Sequence, residues 1–163
     1  KIELELKTFD PKIKDLIKEE TILKNEYTKL TAGAEIEYHG NTYNLAGLGP
    51  FHSHEDRNIR KQSMEARFKW FENNADHFDQ IYDKLVKLRH KIATELGYEN
   101  FIELGYMRMG RSDYGPSEVD KFRKQIVDHV VPVVSELFDQ KKEILDLDHL
   151  YFYDGINFKE GFF

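Results

Sequence analysis

Residues Leu96–Gly115 read LGYENFIELGYMRMGRSDYG, and the fold turns on how this stretch divides what lies on either side of it. Glycines at 97, 105, 110 and 115 punctuate it. Arg108, Arg111 and Asp113 stand between Tyr106 and Tyr114, beside Met107 and Met109. The string is too irregular for one helix and too rich in special residues for an ordinary linker.

Helical patterns flank it. Upstream, Ile59, Ala66, Trp70, Phe71, Phe78, Ile81, Tyr82, Leu85, Ile92 and Leu96 carry an apolar stripe at helical spacing. Asn73-Asn74 is the candidate interruption, and Gly97 the stop. Ser53, with Asp56 three residues on, reads as an approximate capping box that starts this helix. Within the stretch, Asn100 to Leu104 reads as a short helix followed by loop. Downstream, Ser117 with Asp120 caps a last long helix, which Pro132 should kink by removing a backbone donor.

Nearer the start, the alternation of Ile2 to Leu6 predicts an extended lead-in. Asp10-Pro11 predicts an N-cap followed by proline at the first helical position. Ile13, Leu16, Ile17, Leu23, Tyr27 and Leu30 share one helix face, which Gly33 ends. Residues 35–38 and 42–45 predict a small hairpin turning at His39-Gly40-Asn41, followed by a loop from Ala46 to His52. The expected fold is mainly α: a long-helix bundle with one small β-hairpin.

A chain of 163 residues is long enough to bury a real core. Charged residues are 33% and hydrophobic residues 40%, the balance of a soluble globular protein with a heavily charged surface. A net charge of −6 argues against a general nucleic-acid or anionic-membrane binder. No apolar run approaches the roughly 20 residues of a membrane-spanning helix. There is no cysteine, which excludes disulfides, thiolate metal sites and cysteine nucleophiles. A cytoplasmic location suits that composition.

The first suspect for metal chemistry is His52-Ser53-His54-Glu55-Asp56. His54-Glu55 opens like the helical zinc motif His-Glu-x-x-His, which works because positions i and i+4 share a helix face. Asn58 stands where the second histidine belongs, so the match fails at a ligand. A solvated helix cap, with acids near the N-terminus, accounts for the cluster. His77, His90, His129 and His149 are scattered, with no nucleophile beside them in sequence. The glycines do not form Gly-x-Gly-x-x-Gly after a strand, so a dinucleotide site is not supported. Arg108, Arg111, Asp113 and Tyr114 remain as candidates. They bind substrate, or they tie the stretch to neighbouring helices as an ion-pair network.

The order of motifs resembles oligoendopeptidase F, in the thimet-oligopeptidase-like group of zinc metallopeptidases. The matching pieces include Glu26-Tyr27-Thr28-Lys29-Leu30, His39-Gly40, Asp56-Arg57 with Arg60-Lys61, and Ile81 to Val86. Arg89, Leu96-Gly97-Tyr98, the Gly105 to Tyr114 stretch, Phe122-Arg123, Val131-Pro132 and Tyr153-Asp154 complete the set. The resemblance implies a helical fold whose two lobes enclose a channel for short peptides. It implies zinc held by His-Glu-x-x-His and a downstream glutamate, with the motif glutamate as general base.

This sequence contains no His-Glu-x-x-His and ends soon after Tyr153-Asp154. No catalytic or metal-binding residue carries over. The expectation is therefore a segment of a longer peptidase. Residues 1–75 would end the N-terminal lobe, and 76–163 would begin the catalytic lobe before its zinc motif. Such a segment would be inactive alone, would bind no zinc, and would lack the catalytic half as partner. Six rings between Tyr151 and Phe163 have no clear period and should be docked on something. Exposed apolar faces should then drive self-association. Two other readings compete: a free-standing helical module that holds a peptide or partner helix, and a degenerate metal binder using His52 and His54.

Overall fold

Helices dominate, and their ends are set by local chemistry. The computed structural model describes residues 2–155. Helix α1 spans Ile2–Thr8, and a 3₁₀ turn follows at Pro11–Ile13. Then come α2 (Lys14–Ala32), β1 (Ile36–Tyr38), β2 (Asn41–Tyr43) and α3 (Gly49–His52). Helices α4 (Arg57–Asn73), α5 (Ala75–Glu95) and α6 (Phe101–Arg108) follow. Helices α7 (Pro116–Gln125) and α8 (Val131–Ile144) are joined by a π-turn at Ile126–Val130, and Phe152–Asp154 form a 3₁₀ turn.

Several elements differ from the sequence reading. The first residues form α1, not an extended lead-in. Glu, Leu and Lys are helix formers, and Leu4 and Thr8, four apart, are both half-buried. Ser53 does not start α4. A single helical turn, α3, occupies the expected loop, and Asp56 is the N-cap, accepting the Asn58 N–H at 2.7 Å. At α7 the cap is likewise displaced. Pro116 takes the first helical position, and Glu118 reaches back to the Gly115 N–H at 2.9 Å, the second half of a capping box.

The hairpin turns in two residues, not three. Its register pairs Ile36 with Tyr43, Glu37 with Thr42 and Tyr38 with Asn41. His39 at φ 50° and Gly40 at φ 76° give the two left-handed positions of a type I′ turn. Thr42 Oγ1 donates across the pair to Glu37.

The described chain divides into two compact units. Among the described residues, one contains 2–30 and 75–122, the other 31–74 and 123–155. The first unit packs Ile13 and Leu23 against Leu88, Ile92, Ala93 and Leu104. The second packs Ile36, Tyr38 and Leu48, flanked by Phe51, Ala66 and Trp70. Tyr38 donates to the Ile59 carbonyl at 3.2 Å, fixing the hairpin on α4.

The stretch 96–115 resolves into helix ends. At the end of α5, Tyr98 N–H donates to Ala93 O and Gly97 N–H to Thr94 O, both at 3.0 Å, with Gly97 at φ 90°. The end of α6 repeats this Schellman pattern: Arg111 to Tyr106 at 3.1 Å, Gly110 to Met107 at 2.9 Å, and Gly110 at φ 73°. Gly105 lies inside α6, not in a loop. A Cβ there would stand 3.3 Å from the Phe101 ring, so the ring itself occupies the space.

Pro132 sits in the first turn of α8, four residues after Asp128. It cannot donate to that carbonyl, and its ring crowds it. The helix widens into the π-turn immediately upstream. Val127, Val130, Val131, Val134, Leu137 and Phe138 lie at helical spacing along this segment, and all are exposed.

Candidate functional site

The first unit holds a buried carboxylate between two arginines. Glu20 occupies the one position of the α2 stripe (13, 16, 17, 20, 23) that is not apolar. Its side chain is 7% exposed, and Arg89 Nε donates to Oε1 at 2.8 Å while Arg108 Nη1 donates to Oε2 at 2.9 Å. Both guanidinium groups also lie over the Phe101 ring, at 5.6 and 5.7 Å from its centroid. Burial pushes the Glu20 carboxyl up. The Arg89 hydrogen bond and the Arg108 charge outweigh that and hold it below the usual carboxylate range.

The four sequence candidates do not converge on one point. Arg108 goes to Glu20. Arg111 lies over the rings of Tyr106 at 4.8 Å and Tyr114 at 5.6 Å, a cation–π stack that follows the end of α6. Asp113 is exposed. Sequence reading missed Glu20. An acid inside an otherwise apolar stripe was the available signal.

A second charged cluster lies in the other unit. Asp154, 2% exposed, takes a bidentate pair from Arg57, with Nε to Oδ1 at 2.8 Å and Nη2 to Oδ2 at 2.9 Å. Arg60 approaches Oδ1 at 3.5 Å, and its other nitrogens donate to the carbonyls of Tyr153, His54 and Glu55, each at 2.9 Å. Lys141 Nζ donates to the carbonyls of Asp154 and Gly155. The Tyr151 and Tyr153 rings stack 5.2 Å apart, and Arg57 lies over both. Burial raises the Asp154 carboxyl, but Arg57, the Tyr151 N–H and Arg60 hold it below its ordinary value; burial likewise depresses the Lys141 amine. Both oxygens of the Asp154 carboxylate are engaged, so the cluster clasps residues 151–155 rather than presenting a reactive group. Of the six tail rings, Tyr153 is buried and Tyr151 and Phe152 are about half-exposed. Phe158, Phe162 and Phe163 lie outside the described residues.

The histidines flanking Ser53 do different things. His54 Nδ1 accepts the Asp56 N–H at 3.0 Å, within the cap of α4. Among the described residues, the buried Nε2 of His52 has no hydrogen-bond partner. Burial pushes the His52 imidazole below its ordinary value, Arg67 adds to this, and a backbone hydrogen bond at Ser63 opposes it. Among the described residues, no group of three or more His, Asp and Glu side chains is arranged to hold a metal ion. None of the described helices is long and apolar enough to cross a membrane.

Known proteins share this architecture. Residues 51–160 match the sequence profile of peptidase family M3. PZ peptidase A, solved with an inhibitor, is 46% identical with a TM-score of 0.90; the match covers 93% of this chain and 27% of that one. A chain assigned as an oligoendopeptidase F is 41% identical at a TM-score of 0.89, again over 93% and 27%. A second such chain, from Bacillus anthracis str. Ames, is 38% identical at 0.88, over 94% and 28%. No curated protein sequence matches. The chain thus spans little more than a quarter of the solved chains it matches. It is mainly helical, with one two-stranded hairpin, and superposes as a part of their larger fold. The fold, the motif order and the profile agree: the chain belongs to peptidase family M3.

Proposed function

We propose that this chain is a segment of an oligopeptide-cleaving zinc metalloendopeptidase of the oligoendopeptidase F type, inactive by itself. The observation that carries the reading is 46% identity at a TM-score of 0.90 with a peptidase more than three times as long. The residues present do not fit a catalytic zinc. The sequence lacks His-Glu-x-x-His, and the described acids and histidines form no ligand group. In this reading the metal and the activated water belong to the catalytic half, which is this segment's partner.

The segment's own residues are scaffold. Residues 1–75 end the N-terminal lobe and 76–163 begin the catalytic lobe of the whole enzyme. Arg108, Arg111 and Tyr114 fix the geometry of a wall of the peptide channel, and Asp113 is its exposed polar group. Short peptides are the substrates of the whole enzyme. Nucleic acid is not a partner, and the location is cytoplasmic.

The test is a fluorogenic peptide assay of the chain, together with metal analysis after dialysis. No hydrolysis and no stoichiometric zinc are expected. Cleavage accompanied by bound zinc sinks the reading.

A further inference from the structure

We propose that Asp154-Gly155 is a latent site of isoaspartate formation, which the Arg57 clasp holds unreactive and which reacts when the clasp opens. It is the one Asp-Gly pair in the sequence, and there is no Asn-Gly. Glycine carries no Cβ, so nothing shields the amide nitrogen that follows the aspartate. In an open chain that nitrogen attacks the carboxyl carbon.

The reaction balances within the chain and water. Gly155 N forms a bond to Asp154 Cγ, and the Cγ–OH bond breaks. The amide proton and the hydroxyl leave as one water molecule, closing a five-membered imide. Water then adds to the imide. Where it adds at the former main-chain carbonyl, the bond from that carbon to Gly155 N breaks. The main chain now runs through Cβ and Cγ, and the carboxylate hangs from Cα. Nothing is oxidised or reduced, and the mass is unchanged.

Three features of the fold oppose the first step. The attacked carbon must belong to a neutral acid, since a carboxylate has no hydroxyl to lose. Burial pushes the Asp154 carboxyl up, but Arg57, the Tyr151 N–H and Arg60 hold it below its ordinary value and so ionised. Cγ is also fixed in place, by the bidentate Arg57 pair at 2.8 and 2.9 Å and by the Tyr151 N–H at 2.9 Å. Lys141 Nζ donates to the carbonyls of Asp154 and Gly155, which pins the peptide that must turn for its nitrogen to face Cγ. Arg57 is the accessible member, its side chain 39% exposed against 1% for Asp154, so its release opens the carboxyl to water. After isomerisation the group that Arg57 gripped is a main-chain amide, and the clasp cannot re-form. A reversible opening becomes a permanent one. The inference does not depend on the peptidase reading, because every reacting group belongs to this chain.

Incubation of the full chain at neutral pH tests it, with isoaspartate counted by enzymatic carboxyl methylation and located by peptide mapping. The free peptide of residues 150–157 is the unprotected standard. The folded chain should react at position 154 at least about tenfold more slowly than the peptide, since each unit by which the carboxyl pKa is lowered cuts the neutral fraction tenfold. Arg57→Gln should recover most of that difference. Arg57→Lys, which keeps the charge and loses the bidentate grip, should fall between. Gly155→Ala should suppress the reaction in the Arg57→Gln background. The fold admits that alanine, because its Cβ meets only the Phe152 carbonyl at 3.4 Å. Urea below the unfolding transition gives a readout that needs no variant: the rate in the unaltered chain should rise as the clasp opens. A folded chain that reacts as fast as the peptide overturns the proposal. So does an Arg57→Gln chain no faster than the unaltered one, a rate indifferent to urea, or isoaspartate that accumulates first at another position.

Discussion

At residue scale, Gly97 and Gly110 have one task, to hold left-handed backbone where α5 and α6 end. Nothing lies within 4 Å of a Cβ built on either, so an alanine there meets backbone strain alone. Gly97→Ala and Gly110→Ala should each cost about 1–2 kcal/mol. Gly49→Ala, also in open space but without positive φ, should be close to neutral. Urea unfolding of the three variants measures the difference. Asp146, at φ 52°, makes the same kind of stop after α8, with Leu147 donating to Lys142 and Asp146 to Glu143, both at 3.1 Å. Glycines at 97 and 110 announce their stops in the sequence, because φ > 0 is what glycine permits. An aspartate does not, so the third stop was invisible there.

The fold holds both Asp154 and His52 deprotonated, so both destabilise it in acid. His52 has a folded pKa below its ordinary 6.5, so the unfolded chain binds the proton more readily. Stability from this group is complete above about pH 6.5 and declines as pH falls below it. Asp154 also titrates below its ordinary 3.8 when folded, so its contribution is present above that value and is lost as pH falls through it. A stability curve against pH should therefore drop in two stages, and His52→Phe should remove the first. A curve that stays flat between pH 7 and 5 contradicts this. Asp154→Asn should cost about 3 kcal/mol in a chemical denaturation series, because Arg60 would keep its buried charge without a counter-ion.

At the scale of elements, boundaries depended on what each cap could reach. The break between α4 and α5 was legible, since Asn74 is a good helix terminator. The start of α4 was not. Asp56 caps it only because Gly49–His52 close a separate turn first, and that turn leaves no periodic trace in four residues. Glu20 was legible in principle, as a charged position on an apolar face. Its partners were not, because Arg89 and Arg108 lie 69 and 88 residues away. The π-turn before Pro132 is the structural form of the expected kink. Pro132→Ala restores the missing donor, and hydrogen exchange at residues 126–130 should slow as the segment returns to α-helical bonding. Unchanged exchange would assign the π-turn to a different cause.

At the scale of the molecule, the exposed stripe from Val127 to Phe138 is out of balance with the rest of the surface. An isolated segment carrying it should self-associate. Light scattering should report a dimer or larger species, and the pair Val134→Lys with Leu137→Glu should return it to monomer. A clean monomer in the unaltered chain counts against the reading as a segment. The helical character of the whole could be read from periodicity alone. The grouping of residues 2–30 with 75–122, and of 31–74 with 123–155, could not, since it rests on contacts far apart in sequence.

The clasp between α4 and residues 151–155 has a consequence for the order of events during synthesis. Arg57 and Asp154 are separated by 97 residues. At about 5–20 residues per second, translation delivers the aspartate roughly 5–20 s after the arginine. Throughout that interval the Arg57 and Arg60 guanidinium groups of α4 have no counter-charge at this site, and water must stand in for Asp154 and the Tyr153 carbonyl. Nascent chains interrupted before residue 154 should therefore hold the hairpin on α4 but leave Arg57 and Arg60 hydrated. The clasp would lock only when the turn at Phe152–Asp154 arrives.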